Sequence, residues 1–172
     1  AWLKNYYPVE FFAALLNTEL SDTDKVVKYI KDARSHGIEV LPPDINVSEK
    51  GFTVSGDKIF FGLCAIKGVG ESAVEAIMEA RSQKENKKFE SLVDFFMSVD
   101  LRRVNKKVIE SLVKAGAFDQ YGVHRAQLFK GYERFTDIAE LERHDRELGQ
   151  SNLFALIEEN PAEKNVELPE VE

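Results

Sequence analysis

Apolar residues recur along most of this chain at helical spacing, with one short interruption where they cluster as in strands. Val9, Phe11, Phe12, Leu15 and Leu16 form the apolar face of a first helix, and Pro8 suits its opening turn. Ser21 or Asp22 caps a second helix that buries Val26, Val27 and Ile30, and Gly37 is placed to end it. Residues 38–41 then read as a strand stopped by Pro42-Pro43. Two further strands, 52–54 and 59–61, flank Ser55-Gly56-Asp57-Lys58, a hairpin signal.

Beyond residue 61 the helical period returns in a doubled arrangement. A short apolar approach over 60–66 leads into Ile66-Lys67-Gly68-Val69-Gly70 and then into a helix over 71–81. Phe89, Leu92, Val93, Phe95 and Phe96 mark another helix, residues 100–103 a turn, and Val104, Val108, Ile109, Leu112 and Val113 the next helix, which Gly116 ends. Residues 62–118 therefore read as a degenerate duplication of helix, hairpin, helix. One such unit has too little core to stand alone, whereas two packed together bury a shared face. Residues 122–148 again carry apolar positions at helical spacing, with Gly149 as their stop. From Glu158 the chain is acidic, contains Pro161 and Pro169, and reads as a linker. The fold expected is mainly α with a small β element.

Charge refines this picture. The net charge of −7 is unfavourable for nucleic acid until it is divided along the chain. Residues 133–172 hold four basic and twelve acidic residues, so the first 132 residues, with 19 basic and 18 acidic, are close to neutral. The basic set Lys67, Lys84, Lys87, Lys88, Arg102, Arg103, Lys106 and Lys107 collects at the two hairpins and the link between them. The composition, 44% hydrophobic and 31% charged, is that of a soluble globular protein, and no apolar run reaches membrane-spanning length. The absence of an initial Met and the immediate helical pattern suggest a fragment of a longer protein. Cys64 is the single cysteine, which excludes an internal disulfide and a cysteine-rich zinc site. A cytoplasmic setting fits.

Two glycines around one apolar residue let the backbone turn tightly, and the helix that follows places N–H groups at the positive end of its dipole. That combination suits a phosphate oxygen. The competing reading is a glycine-rich connector between core helices. The second hairpin, residues 100–105, lacks the glycines and would hold phosphate through Arg102, Arg103, Lys106 and Lys107, unless that run is only a solvated helix face. Glu71 counts against an anion at the first hairpin, because its carboxylate is drawn to the same dipole. Trp2, Tyr6, Tyr7, Phe11 and Phe12 are expected as core more than as a base-stacking platform. His36, His124 and His144 are far apart, none has metal-ligand spacing with another, and no carboxylate pattern suited to Mg²⁺ is present. The chain alone is expected to be neither catalytic nor metal-binding. Gln150, Leu153 and Phe154 form a second constellation, with two adjacent apolar anchors in polar surroundings; they suit a weak peptide contact or a last helical turn docked on the body.

Several blocks together resemble the alpha subunits of bacterial DNA polymerase III, the replicative polymerase. They are Ala1-Trp2-Leu3-Lys4 with Tyr7-Pro8-Val9-Glu10-Phe11, Asp24-Lys25-Val26, Gly37-Ile38 with Val40-Leu41-Pro42-Pro43-Asp44-Ile45-Asn46, Phe61-Gly62-Leu63 with Ala65-Ile66-Lys67-Gly68-Val69-Gly70-Glu71, and Lys114-Ala115-Gly116-Ala117-Phe118-Asp119. The resemblance covers nearly the whole chain. It implies that residues 1–61 are the end of the fingers region, 62–118 a tandem helix-hairpin-helix module gripping duplex DNA, 119–148 connecting helices, 149–157 a clamp-binding peptide and 158–172 an acidic linker. It implies DNA contacts from Lys67, Gly68, Val69, Gly70, Arg102, Arg103, Lys106 and Lys107. It also implies that Gln150, Leu153 and Phe154 bind the sliding clamp, the beta subunit, with Ser151 and Asn152 departing from the commonest residues at the two variable positions. The implied partners are therefore duplex DNA, the clamp and the rest of the polymerase chain and holoenzyme, with no membrane. The family's catalytic carboxylates and Mg²⁺ lie in the palm, and no residue here inherits them. A helical protein-interaction scaffold and a repair-type helix-hairpin-helix protein remain the alternatives. The β element and Pro42-Pro43-Asp44 disfavour the second.

Overall fold

A computed structural model describes residues 2–147. Pro8 occupies the first turn of α2 (Pro8–Thr18), which follows the short α1 (Trp2–Tyr6). There its fixed φ suits the helix and its missing N–H is not needed. α2 buries Phe12, Ala13 and Leu16. Asp22 rather than Ser21 caps α3 (Thr23–Ser35), accepting a hydrogen bond from the Lys25 N–H at 3.1 Å. Val26 and Ala33 of α3 are buried and Ile30 is partly so, but Val27 is 46% exposed. One residue on from Val26, it is turned about 100° away from the core.

β1 (Glu39–Leu41), β2 (Thr53–Ser55) and β3 (Lys58–Phe60) form a sheet in the order β1-β3-β2. The hairpin β2–β3 turns at Gly56, with φ +64°. The parallel pairing of β1 with β3 was not legible in the sequence. Its register sets Val40, Ile59 and Val54 side by side, and α2 and α3 pack on that side. Just ahead of β2, the Asn17 side chain bonds both backbone groups of Phe52, accepting from N–H at 2.7 Å and donating to C=O at 2.9 Å.

The aromatics at the start of the chain do not enter this core as expected. Phe12 does, but Trp2, Tyr6 and Tyr7 are 63%, 67% and 51% exposed and mainly touch one another. The cause is local: α1 packs on α2 and buries no residue of its own.

A second, larger core collects α4 (Glu71–Ser82), α5 (Leu92–Ser98), α6 (Lys106–Ala115) and α7 (Arg125–Glu147). Edge-to-face and stacked rings of Phe89, Phe95, Phe96, Phe118 and Phe135 run through it. Phe89 and Val104 are buried but lie outside the helices, because Ser91 and Asn105 cap α5 and α6. Gly116 ends α6 at φ +85°.

The two cores are joined by residues 44–51. Ile45 is buried in the helical core, and Arg81 of α4 donates to the carbonyls of Ile45 at 3.3 Å and Ser48 at 2.9 Å. Asn46 accepts from the Phe89 N–H at 2.8 Å and donates to Phe89 O and Tyr121 Oη, both at 3.1 Å. Beside them Gly51 and Gly62 meet backbone to backbone: a Cβ on Gly62 would lie 2.4 Å from the Gly51 carbonyl carbon. The Leu63 and Cys64 N–H groups donate to Glu49 O and Lys50 O across that contact.

Candidate nucleic-acid interface

The first hairpin begins with a single 3₁₀ turn over Leu63–Ala65, in place of a full helix, and leads through Ile66 to the glycines. Ile66 and Val69 are anchored in the core. The Val69 N–H closes the turn on Ile66 O at 3.0 Å and is not available to an outside acceptor. Gly68 has φ +93°, and a Cβ there would lie 2.6 Å from Ser111 Oγ on α6. This glycine is required by both backbone conformation and packing.

Gly70 is different. Its φ of −81° and ψ of 158° suit any residue, and a Cβ there would meet nothing within 4 Å. It is the N-cap of α4 and offers no side-chain bond, whereas Asp22, Ser91 and Asn105 cap their helices. The first amides of α4 therefore open outward.

The second hairpin is shaped by Asp100 in place of glycine. Its Oδ1 accepts from the Arg102 N–H at 3.0 Å, and its carbonyl accepts from the N–H groups of Arg103 and Val104 at 3.1 and 2.8 Å. With those amides engaged, what this hairpin presents outward is side chains.

The cations divide into two groups. Arg103 reaches back to α4 and donates to Ser72 Oγ at 3.1 Å, Glu79 Oε2 at 2.8 Å and Glu75 Oε2 at 3.3 Å. Lys106 is paired with Glu133 of α7, and this partner raises the lysine pKa. Lys67, Arg102 and Lys107 are exposed and form no side-chain hydrogen bond or ion pair among the described residues. The Ser111 beside Gly68 donates to Lys107 O at 2.9 Å, so the tip of the first hairpin lies against the first turns of α6. The Ser72–Arg103 bond likewise sets the two hairpins side by side. Lys87 and Lys88 are exposed on the link, and Lys84 is paired with Asp94.

Glu71, awkward for an anion site in the sequence, is drawn to Lys50 Nζ at 3.2 Å. Lys50 also holds Glu75 at 2.8 Å, and its hydrogen bond lowers the Glu75 pKa. Sequence reasoning missed Lys50, Ser72, Glu75, Glu79 and Ser111. The four-residue spacing of Glu71, Glu75 and Glu79 marks a shared helix face, but nothing local identifies its partners. Gln150, Leu153 and Phe154 lie outside the described residues. Among the described residues there is no cluster of metal-ligating side chains and no helix long and apolar enough to cross a membrane.

Two hairpins set side by side between short helices define a helix-hairpin-helix protein, and the family model described as "Helix-hairpin-helix motif" matches residues 37–128; the chain belongs to that family. Over almost its whole length it is similar to a segment of DNA polymerase III subunit alpha. It is 47% identical to the Thermus aquaticus protein over 171 residues, 99% of this chain and 14% of the relative. The Escherichia coli K12 protein is 38% identical over 161 residues, 93% and 14% of the two chains. The Aquifex aeolicus protein is 53% identical over 120 residues, 69% and 10%. The chain thus spans about a seventh of the length of its first relatives.

Proposed function

We propose that this chain is the duplex-holding and clamp-tethering segment of a cytoplasmic replicative DNA polymerase. Residues 1–61 would belong to the fingers and 62–118 to the DNA-gripping module, with nucleotidyl transfer and its Mg²⁺ carried by other parts of the parent enzyme. Duplex DNA is held by its phosphates: the open amides at the start of α4 donate to one phosphate oxygen, and Lys67, Arg102 and Lys107 neutralise the neighbouring phosphates. Contacts of this kind position a duplex without reading its sequence.

The observation that carries the reading is Gly70. Neither its backbone angles nor its packing requires glycine, and a Ser, Asp or Asn there would cap α4 better. Leaving that terminus uncapped gives an outside oxygen access to it.

Duplex affinity measured across a salt series tests this. It should fall steeply with salt, and Lys67→Ala should flatten the slope of log K against log salt by about 0.9. Gly70→Asp should weaken binding at every salt concentration while leaving thermal stability equal or higher. Salt-insensitive duplex binding, or full binding by Gly70→Asp, would contradict the proposal and favour a protein-interaction scaffold.

Gln150, Leu153 and Phe154 are proposed as the sliding-clamp contact. Two apolar anchors contribute roughly 1.5–3 kcal/mol each when buried. Such a weak tether acts by raising the local concentration of polymerase at its template. Replacing Leu153 and Phe154 with Ala should abolish pull-down by the clamp and leave duplex affinity intact; retained pull-down would refute this contact.

A further inference from the structure

Among the cations at the two hairpins, Arg103 is the one whose guanidinium is already occupied on several sides. It contacts three residues of α4, Ser72, Glu75 and Glu79, which lie on successive turns of one face. Glu75 is shared: one oxygen meets Arg103 and the other meets Lys50, from the segment joining the two cores. Three stretches of chain, around residues 50, 75 and 103, are thus tied at one carboxylate. Arginine suits the task because its planar fork addresses several acceptors at fixed angles, whereas a lysine presents one point charge. No direct backbone hydrogen bond joins the first hairpin to the second among the described residues. Their relative placement rests on the shared apolar core, which buries Ile66, Val69, Val104 and Val108, and on two polar surface contacts, Gly68 against Ser111 and this guanidinium against α4.

We propose that Arg103 does not bind phosphate but is a positioning residue, which through Glu75 and Glu79 fixes the second hairpin against the first so that Arg102 and Lys107 stand in register with Lys67. This rests on the duplex-holding reading above and divides the basic run into ligands and a brace. A cation that sits on carboxylates releases no counterion from DNA, so its loss changes affinity without changing the number of phosphate contacts.

The test measures binding of a labelled duplex to the whole chain across a salt series, at a temperature where circular dichroism shows every variant folded. Arg102→Ala and Lys107→Ala should each lower the salt slope by about 0.9. Arg103→Ala should weaken binding severalfold at each salt concentration with an unchanged slope, and Arg103→Lys should resemble it despite keeping the charge. In a Glu75→Gln, Glu79→Gln background, Arg103→Ala should cost less than about twofold further, because the brace is already broken. Three results would overturn the assignment: a slope lowered by about 0.9 in Arg103→Ala, full rescue by Arg103→Lys, or an undiminished loss in the double-Gln background. Absence of salt-dependent binding in the unsubstituted protein is a separate outcome; it refutes the duplex-holding reading itself, and the positioning role with it.

Discussion

At Gly68 the backbone sits at φ +93°, and Ser111 Oγ lies 2.6 Å from where a Cβ would go. Gly70, two residues later, has ordinary angles and empty space around it. In the sequence the two glycines are equivalent halves of one motif; in the fold they answer to different demands. Gly68→Ala should destabilise the protein by about 1–3 kcal/mol in urea melts, since both the left-handed conformation and the contact oppose a side chain. Adding Ser111→Ala should recover the part due to contact and leave the conformational part. Recovery to full stability would mean that φ at 68 carries no strain.

At the scale of elements, the link between the hairpin units is tied by Asp94. Its carboxylate pairs with Lys84 and accepts from the Glu90 N–H at 3.0 Å and Ser98 Oγ at 3.2 Å. Burial pushes the carboxyl pKa up, but these bonds together outweigh it and leave the pKa below its ordinary value of 3.8. The group therefore contributes stability that is present above that value and lost as pH falls through the lowered one. Asp94→Asn should lower stability near neutral pH by about 1–2 kcal/mol, and the gap from the unsubstituted protein should close as pH drops below 3.8. A gap that persists in acid would assign the loss to packing.

Elements of this kind were largely legible. Helix faces, the hairpin at Gly56 and the stop at Gly116 follow from period and turn chemistry within a few neighbouring residues. What was not legible depends on residues far apart in the chain. The parallel partner of β1, the exposure of Trp2 and Tyr6, and the capture of Arg103 by α4 each require knowing which element lies opposite. The site divides the same way. Its turns and charges were visible in sequence, but not which cations were already paired. The basic run at 102–107 contains two open cations and two engaged ones, with nothing local to tell them apart.

For the whole molecule, the decisive side chain is Arg81, buried between the cores. Arg81→Ala would strand the carbonyls of Ile45 and Ser48, each at a cost of about 1–3 kcal/mol. Hydrogen exchange should show faster exchange across residues 44–50, while the amides of β3 and α6 keep their relative protection. Uniform acceleration throughout the chain would instead show that the two cores melt as one unit.

The meeting of Gly51 and Gly62 has a mechanical consequence. Two strands of main chain touch there without side chains between them, and the Cys64 N–H donates to the carbonyl of Lys50, whose ammonium group grips α4. Side-chain joints yield by changing rotamer; a main-chain joint has no such slack. The joint therefore fixes the backbone at Lys50 against the start of the first hairpin, and any tilt between sheet and helices is taken up by the flexible Lys50 side chain that reaches Glu71 and Glu75.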